Sequence, residues 1–119
     1  MYLIGKINKT FLGLKHLESF EDRKKGFIGW KKSPNDFFGL LFYNKEPRIQ
    51  SYWMHTVPFD LEALGFDENN ILKEIIFLKA FDRKSISFNN PIKNVIEVRK
   101  NWCKDNNVQI GNKIYLKYL

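Results

Sequence analysis

The residues best suited to chemistry are concentrated in one stretch near the middle of the chain, SYWMHTVPFD at positions 51–60. Trp53 and Met54 offer the kind of surface on which a planar base or sugar ring stacks. His55 adds an imidazole and Asp60 adds a carboxylate. Because successive side chains of a strand point to opposite faces, at least one of Trp53 and Met54 is expected in the core.

Arg23 is a second charged residue that, like Asp60, lies close to apolar residues in the sequence, here Phe20 and Phe27. A buried charge without a partner costs several kcal/mol, so each of these groups needs one. The sequence therefore predicts a structural ion pair between Arg23 and Asp60 beneath the strand of Trp53 and Met54. In a sharper alternative, the pair lines a small-ligand pocket with Trp53. The predicted binding residues are Arg23, Trp53, Met54, His55 and Asp60.

The sequence offers little material for catalysis or metal binding. Its two histidines, His16 and His55, show no ligand spacing such as H-x-x-x-H, and no P-loop, G-x-S-x-G or H-E-x-x-H motif occurs. We therefore predict no catalytic residues, no metal site and no cofactor, and an enzyme is the less favoured reading. A Ser/His/Asp hydrolase remains open, because such residues meet only in the fold. Cys103, the single cysteine, excludes an intramolecular disulfide and is expected to be a semi-buried structural residue.

The chain is basic, with a net charge of +7 and a pI near 9.5. The excess of basic over acidic residues is spread evenly along the sequence. Residues 1–60 hold 10 Lys/Arg and 6 Asp/Glu, and residues 61–119 hold 10 Lys/Arg and 7 Asp/Glu. Sixteen of the 20 bases are Lys, whereas base readout and bidentate phosphate binding favour Arg. Nucleic acid is therefore only a weakly supported partner, with Trp30 beside Lys31 and Lys32 as the best exposed contact.

Seven segments have the composition of strands, at residues 2–4, 10–14, 38–43, 49–55, 61–66, 71–79 and 113–118. The segment 38–43 is apolar enough to be a central strand. Turns are predicted at 33–36, 44–47 and 67–70, the last within a β-hairpin, and a loop at 82–90. Ser19 as N-cap predicts a helix over residues 20–28. Residues 92–98 could form either a helix or a strand.

These elements predict one mainly β domain over residues 1–119, a compact antiparallel sandwich or distorted barrel with one or two short helices. Four residues are assigned structural roles in turns or element ends, namely Gly26, Gly39, Pro58 and Gly111. The opening MYLIGK has no signal-peptide pattern, and no stretch reaches the roughly 18 apolar residues of a membrane span. A cytoplasmic location is therefore expected.

Four segments in order resemble the motifs of the domain of unknown function 192 family. Residues 23–29 (RKKGFIG) are similar to R-x-x-G-L-M-x, and residues 39–42 (GLLF) to G-M-L-F. Residues 52–60 (YWMHTVPFD) resemble a shortened F-W-M-K-N-T-x-x-P-L-D, and residues 108–114 a closing I-x-x-G-D-x-V. The resemblance runs from about Phe11 to Tyr118. It implies a mainly β sandwich or barrel with small helices, and it implies no activity.

The chain also departs from the family's pattern in three ways. The Asn that follows W-M-K is missing, because the spacing from Trp53 to Asp60 is two residues short. Asn112 stands where the family usually has Asp, and the chain lacks the leader that many members carry. A function that depends on that Asn, or on export, is not expected to transfer.

The leading functional expectation is a small non-enzymatic domain that binds a ligand or a protein partner through the surface around Trp53 and Asp60. A nucleic-acid-associated basic protein is the first alternative, and a small hydrolase is the second.

Overall fold

The chain folds into nine strands and two short helices, and the computed structural model describes all of residues 1–119. In chain order the elements are β1 (Tyr2–Ile7), β2 (Thr10–His16), α1 (Phe20–Lys25), β3 (Phe38–Arg48), β4 (Ser51–Tyr52), β5 (Leu61–Phe66), β6 (Leu72–Leu78), β7 (Ile86–Ser87), β8 (Ile92–Arg99), α2 (Trp102–Asp105) and β9 (Ile114–Tyr118). The predicted mainly β class is confirmed. Neither helix is long and apolar enough to cross a membrane.

Seven strands form one sheet in the order β6-β5-β8-β3-β2-β1-β9, and β4 pairs with β7 in a separate small sheet. Most neighbours are antiparallel, as predicted, but β2 and β3 run parallel, so the sheet is mixed. Parallel neighbours require a long crossover, and residues 17–37, which include α1, provide it. The position of β3 between β8 and β2 confirms that segment 38–43 is central.

The sheet curls until its two edge strands meet at one end. Ile71 and Lys113 form an isolated bridge there, and the Leu72 N–H donates to the Asn112 carbonyl over 2.8 Å. No ladder joins the rest of β6 to β9, so the barrel is not closed. The predicted distorted barrel is therefore an open, strongly curled sheet.

Apolar side chains form one core on each face of this sheet. All seven strands contribute to the inner core, for example Leu3, Leu41 and Ile96, and Trp102 of α2 packs into it. The outer core covers only the half of the opposite face that β6, β5, β8 and β3 form. Residues from the connections seal it, including Phe27, Met54 and Val57. The candidate functional site lies at the border of this outer core.

The β5–β6 hairpin confirms the prediction for residues 61–79. Its turn is held by Asp67, whose Oδ1 accepts hydrogen bonds from the backbone N–H groups of Asn69 (2.8 Å) and Ile71 (3.0 Å). This is an Asx turn, in which a short side chain replaces a backbone partner. Residues 92–98, left open between helix and strand, lie in strand β8 between β5 and β3.

Two predicted segments are wrong, and both lie next to the site. Residues 44–47 are part of β3 instead of a turn, because Asn44 is buried and its Nδ2 donates to the Ile92 carbonyl over 2.9 Å across a register shift. Residues 49–55 hold only the two-residue β4. Met54 and Val57 instead pack on the outer face of the sheet, so residues 53–57 do not pair with a neighbouring strand. The predicted helix over 20–28 ends early, at Lys25, since Gly26 has φ +47°.

Candidate functional site

A cleft of about 360 Å³ lies between α1, residues 48–57 and the outer face of the sheet. This volume falls in the range of small-molecule sites. Its apolar lining comes from the outer core, including Phe27, Phe42, Met54 and Leu61. Its polar lining comes from both walls and the floor, namely Arg23, Lys24, Lys25, Arg48, Gln50, Ser51, Tyr52 and Glu97. We refer to this space as the cleft.

Glu97 on β8 is the acid of the cleft, and it is 4% exposed. It lies between Leu40 of β3 and Ala63 of β5 in the middle of the sheet. Its carboxyl group has no hydrogen-bond partner in the protein, and burial alone raises its pKa to about 8. A group with this pKa is mostly protonated at neutral pH, so Glu97 can both donate and accept a hydrogen bond.

Gly26 at the end of α1 keeps the space over Glu97 open. A Cβ at this position would lie 3.6 Å from Glu97 Oε1 and 3.8 Å from Phe42 Cζ. The positive φ of Gly26 also disfavours any L side chain there. The glycine therefore serves both the helix end and the shape of the cleft.

Two further polar atoms of the cleft are buried without a partner, the Tyr52 hydroxyl and Gln50 Oε1. The Tyr52 ring packs against Phe42 and Phe88, with ring centroids 5.5 and 6.2 Å apart. Burial, and then the nearby Glu97, raise the pKa of Tyr52 well above its ordinary value. Tyr52 is therefore neutral over the whole physiological range. Two other such atoms, His16 Nδ1 and Asn94 Oδ1, lie outside the cleft. Native proteins leave few buried polar atoms unsatisfied, so the two in the cleft, beside the Glu97 carboxyl group, suggest a missing partner.

The rim of the cleft is cationic and partly aromatic. Lys24, Lys25 and Arg48 are exposed there, and none of the four salt bridges of the structure involves them. Trp53, which is 51% exposed, and Phe20 flank them. The cleft thus combines a neutral hydrogen-bonding floor with positive charge at the mouth.

Arg23 connects α1 to the sheet. Its guanidinium donates to the Tyr43 carbonyl over 2.6 Å and to Asn44 Oδ1 over 2.7 Å, and it lies over the Phe42 ring at 5.8 Å. Burial lowers its pKa, although not enough to remove its charge. The predicted Arg23–Asp60 ion pair is therefore wrong, because these backbone and amide oxygens satisfy Arg23.

Asp60 lies outside the cleft at the start of β5. Its Oδ1 accepts from the Ala80 N–H over 2.7 Å, and its Oδ2 is 3.6 Å from Lys100 Nζ. Like the bond from the Phe81 N–H to the Val57 carbonyl (3.0 Å), this contact joins the segment before β5 to the end of β6. Asp60 thus holds the end of the segment that precedes β5 in place.

Of the five predicted binding residues, the structure brings Arg23, Trp53 and Met54 to the cleft and places His55 and Asp60 outside it. Met54 is buried, which confirms that one of the Trp53–Met54 pair belongs to the core. His55 is exposed in a turn, with its ring 5.2 Å from that of Trp53. His16 is also remote from the cleft, and burial lowers its pKa.

The remaining reactive side chain, Cys103, is buried in the inner core, as expected of a structural residue. Burial, followed by the nearby Glu62, raises its pKa. The thiol therefore remains protonated and is a poor nucleophile.

Sequence reasoning missed the polar floor of the cleft, formed by Gln50, Tyr52 and Glu97. A signal for Glu97 was present: it is the one acid in the apolar run VIEV at positions 95–98. A charge enclosed by β-branched residues in a strand indicates either a buried pair or a site. Gln50 and Tyr52 carry no comparable signal, because their placement depends on residues 49–55 leaving the sheet.

Two solved structures have this fold. One, from Sinorhizobium meliloti 1021, is described as a "putative transcription regulator"; it is 18% identical with a TM-score of 0.86, over 96% of this chain and 92% of that one. The other, a protein of unknown function from Novosphingobium aromaticivorans DSM 12444, is 14% identical with a TM-score of 0.82, over 96% and 83%. At these identities the likeness concerns the fold alone.

No curated protein matches the chain. The family model DUF192, described as an uncharacterized ACR, matches residues 5–116 and therefore almost the whole sequence. This confirms the resemblance drawn from the four motif segments. The chain is a member of the DUF192 family.

Proposed function

We propose that this protein binds a small polar molecule in the cleft, with Glu97 and Tyr52 as the groups that recognise it. The observation that carries the proposal is the Glu97 carboxyl group, buried on the cleft floor with no hydrogen-bond partner. The unpartnered Tyr52 hydroxyl and Gln50 Oε1 add to it. Each such group costs about 1–3 kcal/mol of stability, and a ligand that bonds to them recovers part of that free energy.

The polar groups of the cleft restrict the chemistry of the ligand. Gln50 Oε1 can only accept, so the inner end of the ligand carries an N–H or O–H donor. Glu97 and Tyr52, both neutral, can donate to or accept from it. At the mouth, Lys24, Lys25 and Arg48 favour a negative group such as a carboxylate or a phosphate. The expected ligand is therefore a small anion with a polar, uncharged far end.

The same lining favours binding over catalysis. Neither histidine reaches the cleft, and Glu97 is its only carboxyl group. General acid–base catalysis usually needs a second titrating group close to the reacting atoms, and the Tyr52 pKa is too high for that role near neutral pH. We therefore infer a binding domain, in keeping with the non-enzymatic expectation from the sequence.

Thermal-shift and ligand-observed NMR measurements on the whole protein test this proposal. The panel would contain hydroxy acids, sugar phosphates and nucleoside monophosphates. A ligand at 100 times its Kd stabilises the fold by about 2.7 kcal/mol, which a melting curve resolves. We expect a binder from this panel to lose about tenfold or more in affinity in Glu97→Met and in Tyr52→Phe, because each change removes the hydrogen-bonding group.

Glu68→Met is the matched control, because Glu68 is an exposed acid on the β5–β6 turn, away from the cleft. It should leave the affinity unchanged. Tyr52→Phe should also keep or raise the melting temperature, since it removes a buried hydroxyl that has no partner. A panel without a binder, or binders indifferent to Glu97→Met and Tyr52→Phe, would contradict the proposal.

A further inference from the structure

The outer face of β2, β1 and β9 is a second surface of interest, and it is independent of the cleft. The outer core lies over β6, β5, β8 and β3 and does not extend over these three strands. Their outward residues line up in rows across the strands. Lys6 of β1 pairs with Phe11 on one side and Tyr115 on the other. In the next row, Ile4 pairs with Gly13 and Lys117, and beyond it Tyr2 pairs with Lys15.

Three aromatic rings on this face are exposed to solvent. Tyr2 is 55% exposed, Phe11 is 57% exposed and Tyr115 is 62% exposed. Exposed large apolar residues are ordinary when scattered, but here they share one face of the sheet. In an antiparallel sheet, neighbouring strands lie about 4.8 Å apart, which places Phe11 and Tyr115 about 10 Å apart with Lys6 between them.

The face is also strongly basic. Residues 1–17 and 106–119, which contain all three strands, hold five Lys and no Asp or Glu. These are Lys6, Lys9, Lys15, Lys113 and Lys117. Two of the ammonium groups already lie against rings of the face: Lys6 Nζ is 5.3 Å from the Phe11 ring centroid, and Lys113 Nζ is 5.3 Å from that of Tyr115.

We propose that the outer face of β2, β1 and β9 binds single-stranded nucleic acid. Rings on an open sheet provide stacking surfaces for unpaired bases, and the lysines between them contact the phosphates. Lys supplies point charges without base readout, so the binding should be insensitive to sequence. An anionic membrane would be attracted by the same charge, but its headgroups do not stack on the rings as unpaired bases do. It is therefore an outcome to be tested.

Fluorescence anisotropy with the whole protein tests the proposal, using fluorescein-labelled oligo(dT) and oligo(U) of about 12 nucleotides. The double variant Lys6→Glu/Lys117→Glu should weaken binding by about tenfold or more. It should also flatten the slope of log K against log salt by about 1.4, since two phosphate contacts are lost. Phe11→Leu and Tyr115→Leu should each weaken binding by about fivefold or more without changing that slope.

Lys79→Glu/Lys84→Glu is the matched control, because it changes the net charge equally at exposed residues that follow β6, the strand at the other end of the strand order from β9. Affinity in the control should stay within about threefold of wild type. Circular-dichroism melts of each variant verify the fold. The proposal is overturned if the wild type does not bind at about 50 mM salt, or if the control weakens binding as much as the double variant. It is also overturned if the ring variants have no effect, or if phosphatidylserine vesicles bind more tightly than the oligonucleotides.

Discussion

Glu97 is the residue whose environment is least compatible with its chemistry. A carboxyl group in the middle of a sheet, enclosed by Leu40 and Ala63, loses its hydration and receives no hydrogen bond in return. Replacement by an apolar residue of similar size would remove that cost. Groups that cost stability in this way are typical of functional sites, where the fold tolerates them because of what they bind.

The raised pKa of Glu97 makes a prediction about stability against pH. The unfolded state ionises near the ordinary value of 4.5, but the folded state ionises only near 8. Between these values the unfolded chain binds fewer protons, so the free energy of unfolding should fall as pH rises from about 4.5 to 8. The difference of about 3.5 between the two pKa values corresponds to a loss of unfolding free energy on the order of 3–5 kcal/mol.

Denaturant titrations of wild type and Glu97→Gln at pH 5, 6, 7 and 8 measure this dependence. The Gln side chain does not titrate, so the stability difference between the variant and the wild type should move in favour of the variant as pH rises. Glu68→Gln, at an exposed position, should follow the wild type at every pH. Parallel curves for wild type and Glu97→Gln would show that Glu97 ionises at the same pH in both states.

At the scale of elements, α1 is attached to the fold in an unusual way. The helix has six residues and none of them is buried, so it cannot be held by an apolar face. Ser19 caps it through the hydrogen bond from the Asp22 N–H to Ser19 Oγ, 3.0 Å long. Arg23 fixes it to β3 through Tyr43 and Asn44, and the buried Phe27 anchors the chain that follows. The position of one cleft wall therefore depends on Arg23.

Arg23→Gln should lower the free energy of unfolding by about 1–3 kcal/mol, because Gln is too short to reach both oxygens and leaves buried Asn44 with an unmet acceptor. Lys24→Gln is the control on the same helix. Lys24 is exposed, so its replacement should change stability by less than about 0.5 kcal/mol. Urea denaturation compares the two, and equal effects would mean that Arg23 does not anchor the helix.

The elements that the sequence predicts well are those determined by local chemistry. The hairpin over residues 61–79 has two largely apolar runs on either side of the polar turn DENN, and both its strands and its turn are as expected. Residues 44–47 were misassigned because Asn44 and Pro47 are typical of turns. In the fold, Asn44 bonds to Ile92 and Arg23, which are 48 and 21 residues away. No local pattern contains those contacts.

At the scale of the whole molecule, strand order explains why the charge of the chain appeared uniform. Each half of the sequence carries a similar excess of bases, which left nucleic acid only weakly supported as a partner. The sheet places β1 between β2 and β9, so the two acid-free ends of the sequence become one surface. The cleft was hidden for the same reason, because its walls and floor come from α1, β4 and β8. Sequence reasoning found three of the lining residues, Arg23, Trp53 and Met54, and missed the polar floor.

The weak pairing of β4 with β7 has a consequence for hydrogen exchange. Two residue pairs, Ser51 with Ser87 and Tyr52 with Ile86, hold the cleft wall, helped by the Phe88 N–H bond to the Gln50 carbonyl (3.0 Å). The floor strands β3 and β8 are paired on both sides. Amides of residues 51–57 should therefore exchange through local openings well below the global free energy of unfolding, whereas those of β8 should need complete unfolding.

Native-state exchange followed by NMR or mass spectrometry measures both classes of amide, and equal protection of wall and floor would contradict this difference. A ligand in the cleft should slow exchange in residues 51–57 far more than in β9, which lies at the far edge of the sheet. Exchange rates would thus report occupancy of the cleft before the ligand is identified. A fraction of cell extract that slows exchange only in this wall would contain the molecule that the cleft binds.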